Sequence, residues 1–455
     1  MSAVPSGSGV MWLDNPGRPA PRPRLEQSLV VDVLVIGGGY LGLWSALRAR
    51  QQDPTASVVL VEGNRIGWAA SGRNGGFVSS SITHGTANGL ARWPGEIGTL
   101  ERLGRENLDG MERELDELGV ECGFERTGEL TVATLPHQVD ELREWAQESG
   151  EEFLDRDAVR ERIDSPTFLA GMWSPRGTAL VDPARLAWGL ADAAERAGVH
   201  IYERTPIRDL DDRLTSVQAV ADSGSVTAST VVLATNAFPS LLRRLRLYTV
   251  PVYDYALGTA PLSAAQLASI GWAGREGLSD SGNRFHYSRL TQDNRILWGG
   301  YDAIYHYGSR IRREYDERAA TFSLLAEQLF ETFPQLVGLP IDYAWGGVID
   351  TCTRFAAFYG TAWGGKVGYA MGFTGLGVGT TRFAADVVAD LLAGRRTERT
   401  SLEMVRHKGF PWPPEPARAL GINWTRAALA SADANGGRRD LWLRALDSVG
   451  IGFDS

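Results

Sequence analysis

Three glycines near the start of the chain follow an apolar run at G-x-G-x-x-G spacing. The run covers residues 30–36, and the glycines are Gly37, Gly39 and Gly42. The first glycine allows a tight turn from strand to helix, the second lets the backbone approach a pyrophosphate, and the third lets helix and strand pack closely. Residues 43–50 are compatible with that helix, whose N-terminal N–H groups favour phosphate. The spacing therefore predicts a dinucleotide-binding turn.

An acidic residue follows at the distance that such a site requires. Residues 57–62 read Ser-Val-Val-Leu-Val-Glu, a second apolar strand that ends at Glu62, 20 residues after Gly42. A carboxylate at this place can accept hydrogen bonds from both hydroxyls of a ribose. The order strand, helix, strand and acid favours a dinucleotide site over a glycine-rich turn in some other α/β unit.

Two further glycine-rich segments contain groups that bind anions. Residues 71–76 read Ser-Gly-Arg-Asn-Gly-Gly, a loop that can wrap a ligand with backbone N–H groups and the Arg73 guanidinium. An ordinary surface loop is the alternative. Residues 368–381 read as a strand and a glycine-rich loop, and a helix is predicted directly afterwards, at 382–392. This second helix N-terminus would face an anionic or electron-rich group.

The elements that must position these loops fall into two kinds. Apolar runs such as 230–236 are typical of strands buried on both faces, as in a parallel sheet. Between residues 250 and 345, short aromatic-rich strands and one helix predict an antiparallel sheet instead. The fold class is therefore α/β plus α+β. The predicted strands of the second kind are 252–257, 284–290, 295–298 and 342–345, with a helix at 316–333.

The composition is that of a globular protein. The chain has 455 residues, 43% of them hydrophobic, and a net charge of −9, which disfavours nucleic acid as a partner. No uncharged apolar run reaches about 18 residues, so no membrane span is expected. Cys122 and Cys352 form no disulfide framework, and no metal-ligand motif is present. We therefore expect a reducing, cytoplasmic location and no metal.

The motifs, taken in order, resemble a known family. They are the first glycine turn, residues 70–76, Val181-Asp-Pro183, Val232-Leu-Ala-Thr235 and residues 372–379. Their order and spacing are similar to those of the FAD-dependent D-amino-acid-oxidase-like superfamily, which includes glycine oxidase and sarcosine oxidase. The form Ser-Gly-Arg-Asn-Gly-Gly most resembles the gamma-glutamylputrescine oxidase branch. The resemblance covers residues 12–400.

This resemblance implies a discontinuous Rossmann-like FAD domain with an inserted antiparallel-sheet substrate domain. The alternation of strand types along the chain agrees with that arrangement. The expected division is an N-terminal arm (1–29), an FAD-binding domain in three segments (30–90, 154–248 and 347–400), a substrate domain in two segments (91–153 and 249–346) and a C-terminal tail (401–455).

The resemblance also implies FAD in an extended pose and without a covalent bond. Glu62 would bind the adenosine ribose, Ile207 would meet adenine through its backbone, and the isoalloxazine would lie between the two later glycine loops. Sarcosine-oxidase-like members attach FAD to a cysteine, but the matching position here is Gly347, several residues before Cys352. The expected cofactor-binding residues are Gly37, Gly39, Tyr40, Gly42, Glu62, Arg65, Ser71, Arg73, Asn74, Gly75, Gly76, Ile207, Thr235, Gly372, Gly375, Gly377, Val378, Gly379 and Thr380.

The reaction that the resemblance implies is oxidation of a C–N bond in a small-molecule amine or amino acid, giving an imine that hydrolyses. Sarcosine oxidases carry a lysine near the flavin that helps oxygen react. The matching position in this chain is close to Trp298, so that lysine is missing here. The electron acceptor, oxygen or another, is therefore open. The alternatives are an NAD(P)H-using flavin monooxygenase or reductase and a flavin-binding protein without turnover.

A flavin that oxidises an amine needs side chains that position the substrate. The candidates are His84, Tyr253, Tyr255, Arg289 and Trp345. Arg289 could bind a substrate carboxylate in bidentate fashion. Tyr253 and Tyr255 alternate on one strand and so share a face, which is either the substrate cavity or the core. Each candidate has a structural alternative: a loop histidine, a surface ion pair or a core aromatic residue.

Overall fold

The structure is a computed structural model that describes residues 9–448. The helices are α1 (Tyr40–Gln52), α2 (Thr86–Arg92), α3 (Ile97–Glu117), α4 (Pro136–Ser149), α5 (Arg156–Arg162), α6 (Pro183–Arg196), α7 (Ala264–Ile270), α8 (Ala319–Thr332), α9 (Gly377–Leu392), α10 (Glu398–Ser401), α11 (Glu403–Arg406), α12 (Ala417–Ala434) and α13 (Leu441–Ser448).

The strands form two large sheets and one small sheet. They are β1 (Ser28–Ile36), β2 (Val58–Val61), β3 (Phe77–Ser79), β4 (Glu129–Ala133), β5 (Glu152–Leu154), β6 (Ala170–Ser174), β7 (Thr178–Leu180), β8 (Val199–Tyr202), β9 (Ile207–Asp212), β10 (Val217–Ala221), β11 (Ser225–Leu233), β12 (Val250–Thr259), β13 (Gly277–Asp280), β14 (His286–Leu290), β15 (Ile296–Gly300), β16 (Ile304–Tyr305), β17 (Ile341–Thr351), β18 (Phe358–Ala362) and β19 (Val367–Met371).

The first sheet brings the ends of four strands to one edge. Its order is β18–β19–β11–β1–β2–β8, with β9 and β10 attached beside β11. Strands β19, β11, β1, β2 and β8 are mutually parallel. Their carboxyl ends therefore meet at the same edge, which is where α/β sheets bind ligands. The residues that follow four of these strands are Gly37, Glu62, Ala234 and Gly372.

The second sheet is mostly antiparallel and lies beside the first. Its order is β16–β12–β15–β14–β13–β4–β6–β5, and β17 pairs with the long strand β12. One of its faces packs on α8 through a core cluster that includes Leu257, Leu325 and Leu329. The predicted fold class, a Rossmann-like domain combined with an antiparallel-sheet domain, is confirmed.

Two segments differ from the division expected from the sequence. Helix α3 lies in the range 91–153, yet its buried Leu108 and Met111 belong to the core of the first sheet. Strand β6 lies in the range 154–248, yet it pairs with β4 and β5 of the second sheet. Periodicity indicates the type of an element, but the partner is chosen by tertiary packing.

The two ends of the described chain both contact the body of the protein. The expected N-terminal arm is held by Trp12, which is buried and donates from Nε1 to the carbonyl oxygen of Asn74 (2.9 Å). Helices α12 and α13 of the C-terminal tail pack on each other through Leu429 and Leu443. Within residues 9–448, none of the helices combines the length and apolar character needed to cross a membrane.

Candidate active site

A cavity of about 1380 Å³ begins at the carboxyl edge of the first sheet and reaches one face of the second. Residues from the first glycine turn, both later glycine loops, strand β12 and helix α12 all contribute to its lining. Side chains far apart in sequence therefore share one partly enclosed cavity between the two sheets. Such a space at a sheet edge is a usual place for a cofactor and a substrate to meet.

The first glycine turn has the geometry that its spacing predicts. Gly37 has φ +117°, and a Cβ atom at this position would collide with the carbonyl oxygen of Ala234. A Cβ at Gly42 would collide with the carbonyl oxygen of Gly37. Helix α1 begins at Tyr40, whose N–H donates to Ser71 Oγ (3.1 Å). The backbone at the start of α1 thus lines the cavity without side chains in the way.

Glu62 is held rigidly at the end of β2. Its Oε2 accepts from the N–H of Gly38 (2.6 Å), and its Oε1 accepts from the N–H of Asn64 (2.7 Å) and from Trp68 Nε1 (2.9 Å). The side chain is buried, and burial raises its pKa. Three donors occupy three of the roughly four lone-pair sites of the carboxylate, so one site on Oε2 is left for a ribose hydroxyl.

The loop at residues 71–76 is tied to the second domain. Arg73 donates from Nη1 to Asp316 Oδ2 (2.6 Å) and to the carbonyl oxygen of Gly346 (2.9 Å). Trp345 donates from Nε1 to the carbonyl oxygen of Arg73 (2.9 Å). Because its guanidinium is occupied by protein groups, Arg73 holds the loop in place, and the loop offers backbone to the cavity.

The late glycine loop is held by a buried carboxylate. Asp350 accepts from the N–H of Gly372 (2.6 Å) and of Phe373 (3.2 Å), and burial raises its pKa to about 7. Helix α9 begins at Gly377, five residues before the predicted start at 382, because the last glycines of the loop form its first turn. The N-terminus of α9 therefore lines the cavity with Gly377 and Val378.

Several buried polar atoms of the lining have no hydrogen-bond partner within residues 9–448. They are Thr235 Oγ1 just after β11, Thr381 Oγ1 in the first turns of α9, and His84 Nδ1 beyond the 71–76 loop. A buried polar atom without a partner is costly, so such atoms mark where a polar ligand binds. Together with the glycine turn, the carboxylate of Glu62 and the second helix N-terminus, they fit an extended dinucleotide such as FAD.

The comparison with known families agrees with this geometry. The family described as FAD dependent oxidoreductase, DAO, matches residues 32–391. The chain belongs to the DAO family of FAD-dependent oxidoreductases. Its resemblance to this group, predicted from the motifs, is therefore confirmed, as is its assignment to the amine- and amino-acid-oxidase type of enzyme.

Relatives of this FAD-dependent oxidoreductase cover nearly the whole chain. The gamma-glutamylputrescine oxidoreductase of Escherichia coli is 31% identical over 90% of this chain and 94% of its own length. The probable oxidoreductase OrdL of Haemophilus influenzae is 28% identical over 82% of this chain and 85% of its own. The crystal structure of glycine oxidase from Geobacillus kaustophilus superposes with a TM-score of 0.68, at 20% identity, covering 84% of this chain and all of that one. This last likeness shows the shared fold.

FAD is the cofactor of the oxidoreductase and is held without a covalent bond. Gly347, which matches the attachment position in sarcosine-oxidase-like members, lines the cavity and has no side chain to attach. Cys122 and Cys352 are both buried and lie outside the lining. Cys352 donates from Sγ to the carbonyl oxygen of Ala356 (3.2 Å).

The cavity gathers most of the expected cofactor residues. Six lie behind the lining: Gly42, Arg65, Gly76, Gly372, Gly379 and Thr380. Arg65 pairs with Glu203 (2.9 Å) and so braces the loop after β2. The expected residues in the lining are Gly37, Gly39, Tyr40, Glu62, Ser71, Arg73, Asn74, Gly75, Ile207, Thr235, Gly375, Gly377 and Val378.

The expected substrate residues separate into two groups. His84, Tyr255 and Trp345 line the cavity, whereas Tyr253 and Arg289 lie behind it. Burial, with a smaller contribution from nearby positive charge, lowers the pKa of His84 to about 4, so its ring is neutral at pH 7.

Arg289 is buried behind the 71–76 loop. Its Nη1 donates to the carbonyl oxygen of Val181 (2.6 Å), and a Cβ at Gly76 would lie 2.7 Å from the same nitrogen. This arginine therefore packs the back of the loop and does not reach the cavity. Trp298, at the position matched to the lysine of sarcosine oxidases, is in the core on the α8 side, with its ring 4.8 Å from that of His286.

The alternation of β12 places an acid in the cavity. Tyr253 and Tyr255 belong to the core cluster on the α8 side, although Tyr255 also reaches the lining. Asp254 lies between them on the opposite face, where it accepts from Tyr287 Oη at 2.6 Å. Sequence reasoning missed this residue; the signal was a single carboxylate within an aromatic strand.

A second missed group is Arg284, just before β14. Its Nη2 donates to Tyr301 Oη (2.9 Å), and its guanidinium lies 4.3 Å from the centre of the Tyr301 ring. Its buried Nε has no partner, and no carboxylate of the described residues forms an ion pair with it. The lining near this side also includes residues of the C-terminal tail: Arg418, Ile422, Thr425, Arg426, Leu429 and Trp442.

Proposed function

We propose that the protein oxidises a C–N bond of a small amine or amino acid, giving an imine that hydrolyses to a carbonyl compound and an amine. The observation that carries the proposal is the continuity of one cavity, which runs from the dinucleotide-binding turn to Asp254 and Arg284. FAD supplies a two-electron acceptor, flavin N5, for hydride transfer. The relative named gamma-glutamylputrescine oxidoreductase supports an amine substrate.

We assign the adenosine half of FAD to the first sheet. The backbone from Gly37 to Tyr40 lies at the N-terminus of α1 and would bind the pyrophosphate. Glu62 would bind the ribose, and Ile207, which lies in the lining at the start of β9, would flank adenine. A Cβ at Gly37 would collide with the Ala234 carbonyl oxygen, so close packing against the end of β11 explains that glycine and fixes the turn that the pyrophosphate would approach.

The flavin ring belongs, in this proposal, between the two later glycine loops. The backbone at Asn74 and Gly75 would lie on one side, and Gly375 to Val378 on the other. The N-terminus of α9 then stabilises negative charge on the reduced ring. Substrate would occupy the space between the ring and the second sheet, where Trp345, Tyr255 and Asp254 form the wall.

Anaerobic reduction tests the proposal. The purified protein is mixed without oxygen with a panel of monoamines, diamines and amino acids while the flavin absorption band is followed. Bleaching by an amine, with no response to NADPH, supports amine oxidation. Bleaching by NADPH alone would contradict it and favour a monooxygenase or reductase, and no bleaching by any compound would favour a binding protein. Admission of air to the reduced protein then separates an oxidase from a dehydrogenase.

The location of the protein stays a prediction from its sequence. A reducing, cytoplasmic compartment agrees with two buried, unpaired cysteines. Expression of a tagged chain, followed by fractionation, would test this expectation, and recovery with the membrane or outside the cell would contradict it.

A further inference from the structure

We infer that Asp254 takes the proton from the substrate ammonium, with Tyr287 as the hydrogen-bond donor that holds its carboxylate in place. The inference deepens the proposed amine oxidation and rests on it. It assigns a catalytic role to a residue that the motifs of the family do not contain.

The first argument is the position of the pair. Asp254 lies on the face of β12 that lines the cavity, opposite Gly347 of β17, which has no side chain. The ring of Tyr287 is packed against the 71–76 loop, since a Cβ at Gly75 would lie 2.7 Å from its Cε2 atom. The pair therefore stands beside the loop that we assign to the flavin, on the side that faces the second sheet.

The second argument is charge. Asp254 receives one side-chain hydrogen bond, from Tyr287 Oη (2.6 Å), and one backbone hydrogen bond, from Tyr255, and it forms no ion pair with an arginine or lysine of residues 9–448. Glu62 and Asp350, which also line the cavity, each accept two or more backbone N–H groups. A carboxylate in a partly enclosed space without a cation attracts one, and a substrate ammonium supplies it.

One other acid of the lining is differently placed. Glu129 accepts from Thr178 Oγ1 and Ser279 Oγ, both at 2.8 Å, so each of its oxygens already holds a hydroxyl. It lies on β4, and strands β13, β14 and β15 stand between β4 and the strand of Asp254. Asp254 is therefore the better placed acid for a group held over the flavin.

The chemistry needs such a group. An ammonium has no nitrogen lone pair to assist hydride loss from its α-carbon, so the amine must first become neutral. In the proposed step one N–H bond breaks, one O–H bond forms on Asp254, and no electrons leave the substrate. The neutral amine then loses its α-hydrogen as hydride, and the proton on Asp254 returns to solvent after the product leaves.

The surroundings set the pH at which Asp254 can act. Burial raises its pKa to about 6, while the Tyr287 hydrogen bond, the backbone hydrogen bond from Tyr255 and the nearby His286 act in the opposite direction. Beyond Gly347 lies Arg73, whose charge is paired with Asp316. A base with a pKa close to the working pH transfers protons efficiently.

The experiment follows anaerobic flavin reduction against pH in the wild type, Asp254→Asn and Tyr287→Phe. For the wild type, the second-order rate constant for reduction should rise through a pKa near 6 and level off. For Asp254→Asn, the rate at pH 7 should fall about 10²–10⁴-fold. The rate of this variant should then rise about tenfold per pH unit up to the pKa of a free amine, about 10. The reason is that the variant depends on the neutral amine already present in solution, and this fraction grows with pH.

In Tyr287→Phe, the rise in rate that the wild type shows near pH 6 should move to higher pH. The lost hydrogen bond stabilised the carboxylate, so its loss raises the pKa of Asp254. Asp342→Asn is the matched control: this aspartate pairs with Arg295 at 2.6 Å on the same sheet, outside the cavity, and should leave the profile unchanged. If Asp254→Asn instead reduces the flavin more slowly by the same factor at every pH, and still shows the rise in rate near pH 6, the role of Asp254 is structural only and the inference is overturned.

A binding measurement separates this inference from the proposed function. tert-Butylamine has no α-hydrogen and cannot be oxidised, so its binding is read from the change it causes in the flavin spectrum. The wild type should bind it more tightly as the pH rises through 6, and Asp254→Asn should lose at least about tenfold in affinity. If binding behaves in this way but no amine bleaches the flavin, the proposed function fails and the ammonium site stands. Equal binding by both proteins would overturn the inference.

Discussion

Arg73 and Asp316 form an ion pair across 2.6 Å although 243 positions separate them in the chain. Arg73 belongs to the glycine-rich loop after β2, and Asp316 lies just before α8 in the second domain. The side chains are only 16% and 23% exposed, so solvent screens the pair weakly. This contact joins the loop that we assign to the flavin to the domain that we assign to the substrate.

Removal of the Asp316 carboxylate should lower both the stability of the protein and its retention of FAD. Asp316→Asn leaves the Arg73 charge without its partner, so we expect a loss of about 1–3 kcal/mol in the free energy of unfolding and weaker retention of FAD. Urea unfolding and the ratio of flavin to protein absorbance measure the two effects. Asp140→Asn, which breaks an exposed pair with Arg143, should cost less than about 1 kcal/mol and retain FAD. Equal effects of the two variants would contradict the expectation.

Gly37 should be intolerant of any side chain. Gly37→Ala places a Cβ against the Ala234 carbonyl oxygen at φ +117°, so the backbone of the turn must move from the position that we assign to pyrophosphate binding. We expect purified Gly37→Ala to contain little FAD and to lose about 1–3 kcal/mol from backbone strain. Gly98→Ala is the control, because the Gly98 position in α3 has open space around it and should accept alanine. Normal flavin content in Gly37→Ala would show that the turn does not hold the cofactor.

Asp350 should make stability depend on pH. Its folded-state pKa of about 7 lies above the usual value of 3.8, so the folded protein binds more protons than the unfolded chain between these limits. Stability from this group is therefore present at low pH and is lost as the pH rises from about 4 to about 7. Asp350→Asn cannot titrate, so the urea midpoint of the variant should gain on that of the wild type between pH 5 and pH 7.5. A constant difference between the two proteins would contradict this expectation.

Arg284 should decide whether the substrate carries a negative charge. Its guanidinium lines the cavity with an unpartnered buried Nε, so a substrate carboxylate would find a charge-assisted donor there. Arg284→Gln should raise KM about 10–100-fold for amines that bear a carboxylate and leave KM for simple alkylamines within about twofold. Arg160→Gln, a surface variant in α5, should change neither. A rise in KM for both classes of amine would assign Arg284 to packing against Tyr301 alone.

Local spacing was sufficient to predict where Gly37 and Glu62 lie in the fold. Gly37 and Glu62 each follow an apolar run, and apolar runs in a βαβ unit become neighbouring parallel strands whose ends meet. The structure places both residues at that edge, with α1 starting at Tyr40. No distant contact was needed for the prediction, because the turn, the helix and the second strand lie within about 30 residues of chain.

The residues that line the cavity on the side of the second sheet could not be predicted from local spacing. The alternation of side chains along a strand shows that Tyr253 and Tyr255 lie on one face of β12 and Asp254 on the other. It does not show which of the two faces lines the cavity. That choice was made when α8 packed on one face of the second sheet and the FAD domain came to lie against the other. Arg289 was chosen from the sequence for its charge, yet the packing of the 71–76 loop covers it.

The sequence by itself therefore determined the local geometry of the binding turn, because that geometry depends on contacts between near neighbours in the chain, and the order of its motifs carried the resemblance that implied the family and FAD. Only the tertiary structure decided which side chains of the second sheet face the cavity: Asp254, Tyr287 and Arg284, with part of the C-terminal tail. The physical reason is that a side chain enters a cavity only through the docking of whole elements, and docking is settled by burial across the entire core.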